Sequence, residues 1–209
     1  MLFFGHIGIT VGIAKACDIL VSKSRADNCY EPDSSSRFGI VIRKKQLYLY
    51  YLLNRIKSRI GSIDYRIVLL GSLLPDIIDK PLWFLTGGDI FSSGIGYAHT
   101  LLFNLALFIC GLILTRYGKS WLLIISLSSF MHLVLDQMWR RLATLCWPLL
   151  GPIPESETAG WLLNIIQWLF SYPHVYIPEI IGLVIILIFA YRLIMKKGII
   201  SFIRRGAIS

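Results

Sequence analysis

The sequence predicts an all-α integral membrane bundle of about five helices, and three observations carry that reading. Hydrophobic residues make up 56% of the 209, above the about 45–50% usual in soluble domains, and the mean hydropathy is +0.66. The excess is gathered into blocks at approximately 2–21, 67–86, 97–115, 120–138 and 176–195, each close to the ~20 residues a helix needs to cross a bilayer. The Lys and Arg residues behind the net charge of +9 collect between and beyond these blocks. Membrane topology accounts for such clusters, so nucleic acid is not expected as a partner and membrane lipid is. The length suits one domain, taken as 1–209.

The elements follow in order. The first block is diluted by His6, Lys15 and Asp18, and no basic stretch precedes it, so a secretory signal is not expected. Residues 22–66 form the one long polar region. It opens loop-like, CYEPDSSSRFG, and continues as RKKQLYLYYLLNRIKSRIG, a basic, aromatic stretch suited to the surface of an anionic leaflet. The second block holds Pro75 and Pro81, which are expected to kink or break a helix, so this segment either spans or re-enters. The third and fourth blocks are joined by the short turn 116–119. Residues 160–171, GWLLNIIQWLFS, suit an interfacial helix with Trp161 and Trp168 at headgroup depth, and the fifth block follows. Cys17, Cys29, Cys110 and Cys146 form no C-x-x-C pair and are read as unpaired.

Basic residues set the expected orientation. Of the 21 Lys and Arg, ten lie in 22–66, two in 116–119 and five from Arg192 onward, all on one side of a five-span bundle. That side is cytoplasmic by the positive-inside rule, with the N-terminus outside and the C-terminus inside a cell membrane. In this arrangement His6, Asp76, Asp79, His99, His132, Asp136, His174 and Glu179 all fall toward the outer leaflet.

Ionisable groups within apolar segments are costly, by about 2.5–3.5 kcal/mol each on insertion scales, and so are functional candidates. His132 and Asp136 are four apart, on one helical face, where they chelate an ion or, alternatively, glue helices together. Asp76 and Asp79 are three apart between two prolines; a bound dication keeps both ionised, and Lys80 offers the alternative of neutralising one. His99 follows a glycine-containing turn in SSGIGYAHT, with Thr100 beside it; His6 gains its case from the same set. His174, in SYPHVYIPE, is read as interfacial. Glu179 is read as a first-turn acid favoured by the helix dipole. No Gly-rich phosphate loop, nucleophile elbow or HExxH is present in the sequence.

The order of short motifs resembles a family, the membrane-bound metal-dependent hydrolases of bacteria and archaea. The matching residues are Gly5-His6, Leu73-Leu74-Pro75-Asp76, His99-Thr100-Leu101-Leu102, His132 with Asp136, and Trp147-Pro148, across roughly residues 1–150. Members commonly carry Pro-Asp-Ile-Asp-His where this chain reads Pro75-Asp76-Ile77-Ile78-Asp79-Lys80. They carry His-Arg-Gly where it reads Ser93-Gly94-Ile95-Gly96. The resemblance therefore implies a single ion.

The expected function is a metal-dependent hydrolase acting on a lipid or phosphoester substrate. Asp76, His99, His132 and Asp136 would ligate a divalent metal, zinc by ligand preference, with Asp79 and His6 catalytic and Asp79 as the general base. Lys80, Arg140 or Arg141 would hold an anionic headgroup. Two other readings remain: a metal-handling or transport protein using the same ligands, and an assembly factor docking through its basic loop.

Overall fold

The computed structural model describes residues 3–27, 63–86, 94–154, 167 and 169–206. The basic region at 28–62 and most of the 160–171 segment lie outside the described residues. Helices run over Phe3–Asp27 (α1), Tyr65–Leu85 (α2), Leu101–Thr115 (α3), Trp121–Leu135 (α4), Leu142–Leu145 (α5), Pro173–Met195 (α6) and Ile199–Arg205 (α7). Single 3-10 turns lie at Tyr97–His99 and Met138–Arg140. The fold is all-α, with no strand among the described residues.

Five of these helices, α1, α2, α3, α4 and α6, occupy the five predicted blocks. By length and composition α6 alone among them suffices to cross a membrane; α3 and α4 are apolar but 15 residues each. Pro75 and Pro81 do not break α2, which runs through both as one 21-residue helix. The fourth helix ends earlier than predicted, because Gln137 adopts a left-handed conformation (φ 54°, ψ 41°) directly after Asp136.

Packing is inverted relative to a water-soluble protein. Its buried side chains include His6, Thr10, Ser72, Asp79, His99, Asn104, Ser129, His132 and Glu179, while Leu102, Leu105, Ile109, Ile180, Leu187 and Ile188 are exposed. A helix such as α3, whose buried residues are Asn104 and Gly111, is stable only where the surroundings are themselves apolar.

Helices with little apolar surplus to bury against one another associate by close backbone approach. A methyl group added at Gly8 or Gly182 would collide with the opposite backbone, so α1 and α6 touch main chain to main chain. Gly71 permits the same approach of α2 to α4, where an added Cβ would lie 2.8 Å from Ser128 Cβ.

Buried polar side chains gather toward one end of the bundle and a buried apolar cluster toward the other. Val11, Tyr65, Val68 and Ile124 form a buried apolar cluster, with Ile67, Phe189 and Phe202 packed against it. Beyond this cluster α7 is tied to the start of α2. Tyr65 N donates to Gly206 O at 2.9 Å, and Arg66 Nη1 donates to Ile203 O at 2.6 Å. Asp64 caps α2 by accepting from Arg66 N (2.9 Å) and pairs with the Arg66 guanidinium, which holds its carboxyl below the usual aspartate range.

A candidate metal centre at the polar end of the bundle

The cluster is assembled from four chain segments. His6 comes from the start of α1, Asp76 and Asp79 from the second half of α2, and His99 from the 3-10 turn before α3. His132 and Asp136 come from the end of α4. His6, Asp79, His99 and His132 are fully buried.

Local sequence fixes each histidine. Gly94 sits at φ 62°, a conformation glycine adopts without strain, and begins the turn that delivers His99. Asp79 organises that turn: its carboxylate accepts from Gly96 N (2.8 Å), Ala98 N (3.0 Å) and His99 N (3.2 Å). It also meets His99 Nδ1 at 2.6 Å. Thr100 then caps α3 by accepting from Phe103 N at 3.1 Å. Asn104 donates to the carbonyls of Ala98 (3.2 Å) and Thr100 (3.1 Å), and accepts from Ser129 Oγ at 2.7 Å.

His132 Nδ1 lies 2.7 Å from the Ser72 carbonyl, an oxygen that can only accept, so this nitrogen carries the proton. Pro75 has no N–H to give, so the carbonyl of Gly71, next to Ser72, lacks its donor four residues on. With their Nδ1 atoms donating to Asp79 and Ser72, His99 and His132 each present an Nε2 lone pair to the cluster. Both Nε2 atoms are buried without a hydrogen-bond partner.

What faces them is anionic. His99 Nε2 is 3.7 Å from Asp76 Oδ1 and 3.8 Å from Asp136 Oδ2; His132 Nε2 is 3.8 Å and 3.4 Å from the same two atoms. His6 Nε2 approaches Asp136 Oδ1 at 3.0 Å, and its ring stacks on His132 with centroids 3.9 Å apart. Two ligand groups result, His6–His132–Asp136 and Asp76–His99–His132, each with its atoms within 4.8 Å of one another. Two ligands of a tetrahedral zinc at ~2.0–2.1 Å stand about 3.4 Å apart, so lone pairs and carboxylate oxygens at 3.4–3.8 Å suit a shared cation. The donor set fits a divalent metal, and Asp79 and the Ser72 carbonyl are the outer partners that orient its imidazoles.

The structure thus brings together His6, Asp76, His99, His132 and Asp136, with Asp79 directly behind His99. Asp79 is not the free carboxylate expected from the sequence, since His99 and three backbone amides occupy it. Lys80 Nζ pairs with Asp76 Oδ2 at 2.6 Å, the neutralising contact weighed as an alternative, while Asp76 Oδ1 still faces the histidines. Glu179 departs from its expected role. The helix begins at Pro173, so Glu179 lies beyond the first turn, and its Oε2 accepts from Phe4 N (2.9 Å) and Gly5 N (3.1 Å) at the start of α1. Among the described cysteines, Cys17, Cys110 and Cys146 are free.

Asn104, Ser129 and the Ser72 carbonyl were not expected at the site. The first two were legible in principle, as polar residues in otherwise apolar helices; a backbone carbonyl leaves no trace in sequence.

An apolar exterior over buried polar side chains agrees with a helical membrane protein. The chain belongs to the YdjM inner membrane protein family, whose profile matches residues 45–200. The matched stretch includes Asp76, Asp79, His99, His132 and Asp136 and begins after His6. No curated protein and no solved structure matches the chain.

Proposed function

We propose that this inner membrane protein is a metal-dependent hydrolase of a lipid or phosphoester substrate. One observation carries the reading: His99 and His132, their Nδ1 atoms committed elsewhere, aim buried Nε2 lone pairs at Asp76 and Asp136. Asp76, His99, His132 and Asp136 are assigned as ligands of a divalent ion, zinc by donor type. Such an ion, when bound, lowers the pKa of a water and polarises a phosphoryl or acyl oxygen. Asp79 holds the His99 ring in its ligating tautomer and is assigned that positioning task in place of the general base. His6, at 3.0 Å from Asp136, is the group placed to hold or move a proton at Nε2.

The same proposal takes α1, α2, α3, α4 and α6 as five membrane passages, the two 15-residue helices extended by their flanking turns. The basic stretches then lie in the cytoplasm and the cluster lies toward the outer leaflet. The test is the metal content of protein purified in nanodiscs. Stoichiometric zinc in wild type, lost in His132→Ala, is expected; substoichiometric metal unchanged by His132→Ala overturns the reading.

A second reading, metal transport, draws on the buried hydroxyls of Thr10, Ser126, Ser128 and Ser129, which continue from the cluster into the bundle. The apolar cluster of Val11, Tyr65, Val68 and Ile124 interrupts that row, which favours hydrolysis over passage. Zinc uptake into proteoliposomes separates the two.

A further inference from the structure

A cavity of about 220 Å³ adjoins the cluster and shares Asp136 with it; Gln137, Arg140, Arg141 and His174 line the remainder of its polar wall. The left-handed Gln137 turns the chain out of α4 into the 3-10 turn that carries Arg140. From the other side α6, which starts at Pro173, supplies His174. Two exposed arginines and an exposed histidine, from the turn after α4 and the start of α6, therefore share one cavity wall with a carboxylate of the proposed metal centre. Lys80, the third basic residue considered from sequence, is occupied by Asp76.

Volume limits what enters. Pockets that enclose a whole small molecule measure about 300–1,000 Å³, so this one admits a headgroup-sized fragment. Charge limits it further. Guanidinium groups recognise phosphate and carboxylate oxygens in paired fashion, and two adjacent arginines favour the multiply charged oxyanion. Trp139 and Leu142, which flank the two arginines in sequence, and Tyr172, whose ring lies 5.4 Å from that of His174, are exposed, apolar and aromatic groups suited to the boundary of a bilayer.

We infer that Arg140, Arg141 and His174 form a subsite for a phosphate oxyanion, carried either on a lipid headgroup or on a soluble phosphomonoester. This rests on the hydrolase reading and names its substrate class. Asp136 bears negative charge on the same wall, so the anion binds beside it when a cation stands between them. Phosphate binding is therefore coupled to metal occupancy.

The experiment uses the full chain in zwitterionic nanodiscs, with metal content measured first and inorganic phosphate then titrated by calorimetry. Wild type with zinc is expected to bind phosphate, and to lose that binding when stripped of metal. The double variant Arg140→Gln/Arg141→Gln is expected to keep its zinc and bind phosphate about tenfold or more weakly, the loss of charged hydrogen bonds. His174→Gln is expected to weaken binding less. Arg116→Gln/Lys119→Gln, basic residues of the turn after α3 and remote from the cluster, is expected to match wild type. Phosphatidic acid added to the nanodiscs distinguishes the sources: competition with phosphate assigns the subsite to a lipid headgroup, and its absence assigns it to a soluble ester. Zinc-replete double variant binding phosphate as wild type does overturns the subsite and leaves the metal centre standing. Wild type that holds no metal overturns both.

Discussion

Asp79 grips His99 at two points, meeting its ring Nδ1 at 2.6 Å and its backbone N–H at 3.2 Å through the same Oδ2 atom. Ring orientation and loop conformation are thereby set by one carboxylate. Asp79→Asn replaces an acceptor with an NH2 donor, so the imidazole proton loses its anionic partner and the Nε2 lone pair is no longer secured. Zinc affinity is expected to fall about 10–100-fold, the usual effect of losing an outer partner of a ligating histidine. A zinc competition titration measures it. Unchanged affinity with lowered stability would make Asp79 a purely structural residue.

Glu179 seats the helix that carries His6, accepting from Phe4 N and Gly5 N. Glu179→Ala strands two amide donors, that of Gly5 buried and that of Phe4 partly so, and is expected to destabilise the protein by about 1–3 kcal/mol. Glu179→Gln retains an oxygen at the same place and is expected to recover most of that loss. Thermal unfolding in detergent compares the three proteins; equal losses in both variants would rule out the capping role.

The contact of α1 with α6 makes one glycine from each helix unequal to the other. At Gly182 an added Cβ would strike the Phe4 carbonyl, whereas at Gly12 it would meet Ile185 side-chain atoms at 3.3 and 3.5 Å, which can shift. Gly182→Ala is expected to cost about 1–3 kcal/mol, as overpacking does, and Gly12→Ala less than about 1 kcal/mol. Melting temperatures of the two variants in the same detergent decide the matter, and the reverse ranking would contradict the packing described.

Asp64 gives a pH signature at the far end of the bundle. The Arg66 guanidinium beside it holds its folded-state pKa below the ordinary aspartate value. Its contribution is therefore present above the unfolded pKa and is lost as pH falls through the folded one, a window below about pH 4. Hydrogen exchange at Tyr65 N, which donates to Gly206 O, is expected to speed up relative to other α2 amides only in that acid range. In Asp64→Asn that acid-dependent step should disappear.

The sequence carried the helix positions and much of the cluster, for identifiable reasons. Five apolar blocks are visible because lipid-facing helices need long runs, and His132 with Asp136 is visible because a spacing of four repeats a helical face. Asp76 and Asp79 were visible as a pair but not as a division of labour. That split depends on the loop ending at His99 folding back over Asp79, a contact across 20 residues. The role of Glu179 is hidden from sequence because its partners are backbone amides 174 and 175 residues away, which leave no mark on its neighbours. The Ser72 carbonyl was invisible for a simpler reason: every residue has one.

The buried apolar cluster of Val11, Tyr65, Val68 and Ile124 lies farther along the same helices that carry the His and Asp side chains of the candidate site. On the proposed reading, a substrate would then reach the ligand set from the end where the cavity beside Asp136 lies. Under the hydrolase proposal, substrate and product would then share one monolayer, so turnover would alter one face of the membrane and leave the other untouched.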